Sequence, residues 1–182
     1  MKKALFIIAA LASCMTVSAK YWFGGSIGFD TESYYYNDNK YHQFEFSPMV
    51  GMAIEDNLDL GLQFTVQDLK YSDGQKEFSF KFAPFLRYTF FNEGNFSMFV
   101  DGGFEYGICS PSGYNWWHVG AFASPGIKYA MSDHFRLEAL FWGLYYEHQN
   151  NPDSQPRYPT YKNNAGLGFN FEDLQISLVY EF

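Results

Sequence analysis

Ten ionisable residues recur at alternate positions along stretches that are otherwise largely apolar: Glu45, Asp59, Lys81, Arg87, Asp101, Glu105, Lys128, Arg136, Glu138 and Glu181. Alternate positions on an extended chain share one face. If each short turn folds as a simple hairpin, opposite charges face each other. A hairpin centred near Glu93 opposes Lys81 to Glu105 and puts Arg87 near Asp101. One centred near Asp133 opposes Lys128 to Glu138, with Arg136 close by. Such a row can do one of two things. It can line a path for a polar solute, or it can fill an enclosed space with cross-strand ion pairs. Buried charge is costly unless paired, so the complementary pattern predicts the filled space.

The other groups capable of chemistry are the histidines His42, His118, His134 and His148. His134 falls in a short turn, while His42 and His148 lie in or next to long connections with Glu45 and Glu147 nearby. There is no His-x-Ser motif, and the histidines lack the ligand spacing of a metal site. We therefore expect no catalytic set, no metal and no cofactor. Twelve Lys and Arg against twenty Asp and Glu give a charge of −8, which argues against a nucleic-acid partner. An aromatic content of 22% argues against disorder, and two cysteines cannot build a disulfide scaffold.

The elements that must carry these groups read as strands. Leu58, Leu60, Leu62, Phe64 and Val66 alternate with Asp59, Gly61, Gln63 and Thr65. Phe78 to Phe90, Phe96 to Ile108 and Leu174 to Phe182 repeat the pattern, and weaker versions run through Tyr21–Asp30, Phe44–Ile54, His118–Met131 and Phe135–Tyr146. That makes eight segments, most of about 10 to 14 residues, where soluble strands average about 5 to 6 and a tilted membrane-crossing strand needs about 9 to 11. The bulky residues sit on the apolar face, and the other face is rich in Gly, Ala and Ser as well as charge. A sandwich core could not hold those charges, but a barrel lumen can. The connections alternate between short (55–57, 92–95, 132–134) and long (31–43, 69–76, 109–117, 147–163). The fold expected is all-β: an eight-stranded antiparallel up-and-down transmembrane barrel over residues 20–182, with the short turns on the periplasmic side.

Residues 1–19 read as a secretory signal peptide: Lys2-Lys3, an apolar run from Ala4 to Leu11, and Val17-Ser18-Ala19 as a cleavage site. Leu11-Ala12-Ser13-Cys14 also resembles a bacterial lipobox, which would instead make Cys14 the acylated first residue. Cleavage after Ala19 leaves Cys109 as the one cysteine.

Phe46-Ser47-Pro48-Met49-Val50-Gly51-Met52, Asp56 to Leu62, Phe85-Leu86-Arg87-Tyr88-Thr89-Phe90, Ser124 to Tyr129 and the final Leu178-Val179-Tyr180-Glu181-Phe182 together resemble the small eight-stranded outer-membrane β-barrels (porin-family proteins) of Gram-negative bacteria. The resemblance implies an outer-membrane location, contact with outer-membrane lipid, and recognition of the C-terminal strand, with Tyr180 and Phe182 as the signal, by the assembly machinery. Phe169–Asp173 departs from the phase of Leu174–Phe182, which predicts a bulge there or a strand that starts only near Leu174. Eight strands enclose a space just wide enough for side chains, whereas open aqueous channels appear with about 16. The interior is therefore expected to be plugged by the charge network. Tyr34, Tyr35, Tyr36, Tyr41, Trp116, Trp117, Tyr158 and Tyr161 gather in or beside the outer loops. They suit an interfacial girdle, or a surface that contacts an extracellular ligand. The role expected is structural or surface interaction. The alternatives are a narrow channel for small solutes or ions, and a lipid-modifying enzyme, although His118-Val119-Gly120 lacks the serine that the deacylase pattern requires.

Overall fold

The computed structural model describes residues 20–33, 40–71, 74–111, 116–141, 143–151, 160–168 and 174–182, and no helix occurs among them. Residues 1–19, with both possible processing sites, lie outside these. Ten strands form: β1 (Tyr21–Ser33), β2 (Lys40–Glu55), β3 (Leu58–Tyr71), β4 (Lys76–Glu93), β5 (Phe96–Pro111), β6 (Trp116–Ala130), β7 (Phe135–Leu140), β8 (Leu144–Asn151), β9 (Thr160–Leu167) and β10 (Gln175–Glu181). Consecutive strands from β1 to β7 pair antiparallel; β7 pairs with β10 and β10 with β1, which closes the ring. The ring has eight members because β7 and β8 are two halves of one crossing, and β9 and β10 of another.

The alternation that marked the strands is driven by which face meets water. Outward residues are apolar and exposed, among them Phe23, Phe46, Val50, Leu86, Phe104, Leu137 and Leu178. Inward residues include the buried Arg87, Asp101, Arg136 and Glu138. A soluble protein reverses this arrangement, and a lipid-facing barrel requires it. The three short turns share one end of the barrel with Tyr21 and Phe182. The amide of Phe182 donates to the Tyr21 carbonyl (2.9 Å), and that of Glu181 to the His134 carbonyl (2.8 Å).

The structure departs from the sequence reading in four places. First, the long connections are shorter than expected, because strand pairing runs well into all four: Ser33 with Lys40, Lys70 with Lys76, Cys109 with Trp116, and Asn151 with Thr160. Second, both last crossings are broken. On the eighth, seven residues lie between Leu167 and Gln175, against three between their partners Leu144 and Leu140. The surplus falls where the phase conflict was read, and the lower strand starts at Gln175, although 169–173 themselves lie outside the described residues. Third, Lys81 faces Gly107, not Glu105, whereas Arg87 faces Asp101 directly. The turn is centred at Gly94-Asn95 rather than Glu93, with Gly94 at φ 58°. A positive φ suits a tight two-residue hairpin turn, and a register shift between Thr89 and Phe91 sets the rest of the offset.

The fourth departure concerns the small residues of the inner face. Trp22, Met49, Phe85, Phe99 and Val179 also point inward and are buried. The glycines beside them are their seats. A Cβ on Gly51 would strike the Trp22 ring, one on Gly61 the Phe85 ring, one on Gly126 the Phe99 ring and one on Gly107 the His118 ring. Each ring lies flat over a glycine directly opposite it on the next strand. Pro48, Pro84 and Pro125 fall at gaps in a ladder: β2–β3 pairing skips Ser47 and Pro48, β4–β5 skips Ala83 and Pro84, and β6 passes from β7 to β8 across Ser124 and Pro125. Proline has no amide to donate there.

Candidate functional site: the charged centre of the lumen

Register places Arg87 between Asp59 and Asp101, and Glu138 on β7 reaches it across the lumen. The Arg87 guanidinium grips Asp101 through two bonds, Nε to Oδ1 and Nη2 to Oδ2, both 2.8 Å. Its Nη1 donates to both oxygens of Glu138 at 2.8 Å. Glu138 Oε1 also accepts from Arg136 Nε at 2.7 Å, and Arg136 Nη1 donates to Glu181 Oε2 at 2.8 Å. The result is an alternating chain, Asp101–Arg87–Glu138–Arg136–Glu181, that crosses the barrel. The side chains of Arg87, Asp101 and Glu138 are 2%, 4% and 3% exposed, which is as dry as a protein core. Forked, charge-assisted bonds of this kind are the strong ones.

Aromatic rings complete the layer. The Arg87 guanidinium lies 4.0 Å from the Phe99 ring centre, 5.2 Å from Trp22 and 5.6 Å from Phe85, and Arg136 lies 5.2 Å from Trp22. Two cations among ring faces gain attraction that water would otherwise weaken. Arginine suits the position because its plane can stack and fork at once, which a lysine cannot do.

The remaining members of the sequence-derived set are less tightly joined. Lys128 faces Glu138 in register, but its Nζ reaches Thr89 Oγ1 at 3.3 Å, and the Glu138 carboxylate is taken by the two arginines. Asp59 is half-buried beside Arg87 and forms no ion pair among the described residues. Glu45 accepts a bond from Ser47 Oγ (3.0 Å), which meets Thr65 Oγ1 (3.0 Å). Glu105 and Lys81 stand nearer the loop end, where Glu105 Oε1 is 3.7 Å from His118 Nε2.

Of the aromatic surface residues, Tyr34, Tyr35, Tyr36 and Tyr158 lie outside the described residues. Tyr41, Trp116, Trp117 and Tyr161 are in strands, not loops. Trp117, His148 and Tyr161 form an outward row on β6, β8 and β9, with ring centres 5.9 Å and 5.6 Å apart. At the opposite end Tyr180 packs on Phe182 (5.0 Å), Phe135 (5.1 Å) and His134 (5.6 Å). Sequence reasoning missed the inward rings and His118. The signal for them, a bulky residue on the polar face, was visible at Phe85 and Phe99.

No protein-family model matches the chain, and no curated protein matches it. Solved structures do. Neisserial surface protein A is 13% identical, with a TM-score of 0.51 over 90% of this chain and 96% of that one. A major outer membrane protein from Thermus thermophilus is 9% identical, with a TM-score of 0.52 over 91% and 100%. With its closed ring of eight crossings, greasy exterior and charged interior, the chain has the fold of the small eight-stranded outer-membrane β-barrels.

Proposed function

We propose that the protein is an integral outer-membrane barrel whose lumen is plugged at its centre, and that it acts as a structural element and a platform for surface interaction rather than as a pore or an enzyme. One observation carries the reading: Arg87, Asp101 and Glu138 form a bonded bridge across the lumen and are almost completely buried. Together with Trp22, Phe85 and Phe99 they leave water little room at that level. In this reading the short turns face the periplasm, and the ends of the longer hairpins, with Trp117, His148 and Tyr161, meet the outer membrane surface. The outward aromatics touch lipid, and an extracellular ligand would meet the loop end. Reconstitution into planar bilayers tests the plug. The expected trace has no stable conductance steps. Stable single-channel steps in the unmodified protein would replace the plug with a narrow channel.

The C-terminal strand is the partner surface for the assembly machinery in this proposal, with Tyr180 and Phe182 as its outward signal. Phe182 is 70% exposed and packs chiefly on Tyr180, so removing its ring should cost little stability. Phe182→Ala is therefore expected to lower the amount of folded protein in outer-membrane fractions several-fold, while refolding into detergent in vitro stays normal. An equal loss in both assays would make the residue merely structural.

A further inference from the structure

We propose that the loop-end half of the lumen binds the ammonium group of a small organic amine, held between Glu105 and Glu147 above Gly120. The proposal rests on the reading of a lumen closed at its centre, which gives this half a floor. Register places Glu105 opposite Gly120 and Gly120 opposite Glu147, so the three form one row across β5, β6 and β8. All three face inward, in phase with the buried Asp101 and His118 and out of phase with the exposed Tyr106, Val119 and Tyr146. Neighbouring strands stand about 4.8 Å apart, so the two acidic residues are rooted about 10 Å from each other with a bare backbone between them. Two flexible arms rooted at that spacing can close on one cation. Glu105 can lie over the bare backbone because residue 120 is glycine: a Cβ there would sit 3.0 Å from Glu105 Cγ and 3.1 Å from its Oε1.

A second, independent observation points to a ligand. His118 lies two residues along β6 on the same face and is 7% exposed, yet its Nδ1 has no hydrogen-bond partner among the described residues. Its Nε2, at 3.7 Å from Glu105 Oε1, is beyond bonding distance. A buried polar nitrogen without a partner is expensive, and a bound polar molecule would supply one. The Trp116 ring, 5.8 Å from the imidazole, adds an aromatic face of the kind that attracts ammonium groups. Glu147 and Lys81 both act electrostatically on His118. Two carboxylates against one lysine leave the row acidic. Of the carboxylates at this end whose side chains are described, Glu77 accepts from Cys109 Sγ (2.7 Å) and Tyr71, and Glu45 from Ser47. Access is from the loop end, since the Glu105 side chain is 22% exposed against 4% for Asp101.

Isothermal titration of the refolded protein in detergent with 1,4-diaminobutane tests the site. Saturable binding is expected. It should weaken at least tenfold in E105Q/E147Q and in Gly120→Val, and stay unchanged in Asp68→Asn, whose carboxylate lies on the outer face. E105Q/E147Q leaves the barrel wall intact and decides the matter even if Gly120→Val fails to fold. No saturable binding to the unmodified protein, or equal binding by E105Q/E147Q, overturns the proposal. So does calcium binding at the same carboxylates more tightly than the amine. A protein that conducts in bilayers yet binds the amine would lose the plug and keep the site.

Discussion

Arg87 holds the centre of the barrel together, because two carboxylates on different strands depend on it. Arg87→Met removes the charge and keeps much of the volume, leaving Asp101 and Glu138 buried close to each other with one cation fewer. Breaking a buried network at one partner costs roughly 3–5 kcal/mol. Urea unfolding in lipid vesicles, followed by tryptophan fluorescence, should show that loss. It should also show under about 1 kcal/mol for Lys70→Ala, whose pair with Asp68 is solvated. Equal effects would mean that the central pairs are no stronger than surface ones. The Arg87–Asp101 pair was legible in the sequence because hairpin neighbours oppose each other. The bridge from Arg87 to Glu138 was not, since it spans 51 residues and crosses the lumen. Nor was the loss of Lys128 from its expected partner: facing residues share a register position, but the arginines offer Glu138 more bonds.

Strand faces were readable from period two, and registers only in part: Lys128 faces Glu138 as the hairpin reading had it, whereas Lys81 does not face Glu105. The inner face read only as rich in Gly, Ala and Ser; paired across strands, several of its glycines are the floors on which inward rings lie. Phe99 is fully buried between Gly126 and the Arg87 guanidinium, so it cannot move aside. Gly126→Val is therefore expected to destabilise by about 1–3 kcal/mol through overpacking. Much of that should return in the double variant Gly126→Val with Phe99→Leu, giving a coupling energy typical of touching residues. Strict additivity in the same urea assay would show that ring and glycine are not in contact. The offset between Lys81 and Glu105 has a related origin: the turn falls at Gly94-Asn95 and a register shift between Thr89 and Phe91 follows, so the pairs beyond it stand two residues from where a hairpin centred on Glu93 would put them.

Over the whole molecule the distribution of polarity is reversed relative to a soluble protein. Leu86, half exposed on the outer face, is on a strand whose inward neighbour Arg87 is dry. Leu86→Lys should cost about 2–4 kcal/mol in a bilayer, as expected for a cation near the midplane, while Ile54→Lys, beside a short turn, should cost only about 0–1 kcal/mol. Equal, negligible costs at both positions would show that the exterior faces water. β9 adds a feature that the sequence did not suggest. Among the described residues it pairs only with β8, and β1 pairs with the last crossing only at Trp22 to Gly25.

By itself the sequence determined the class of the protein, because alternation, strand length and turn chemistry are local properties, and a charged face opposite a greasy one has one solution in lipid. Tertiary structure alone decided which charges meet, which glycines carry rings, and that Glu105, Gly120 and Glu147 stand in one row across three strands. Those outcomes depend on register and on curvature closing the sheet, and both are set by contacts between residues far apart in the chain.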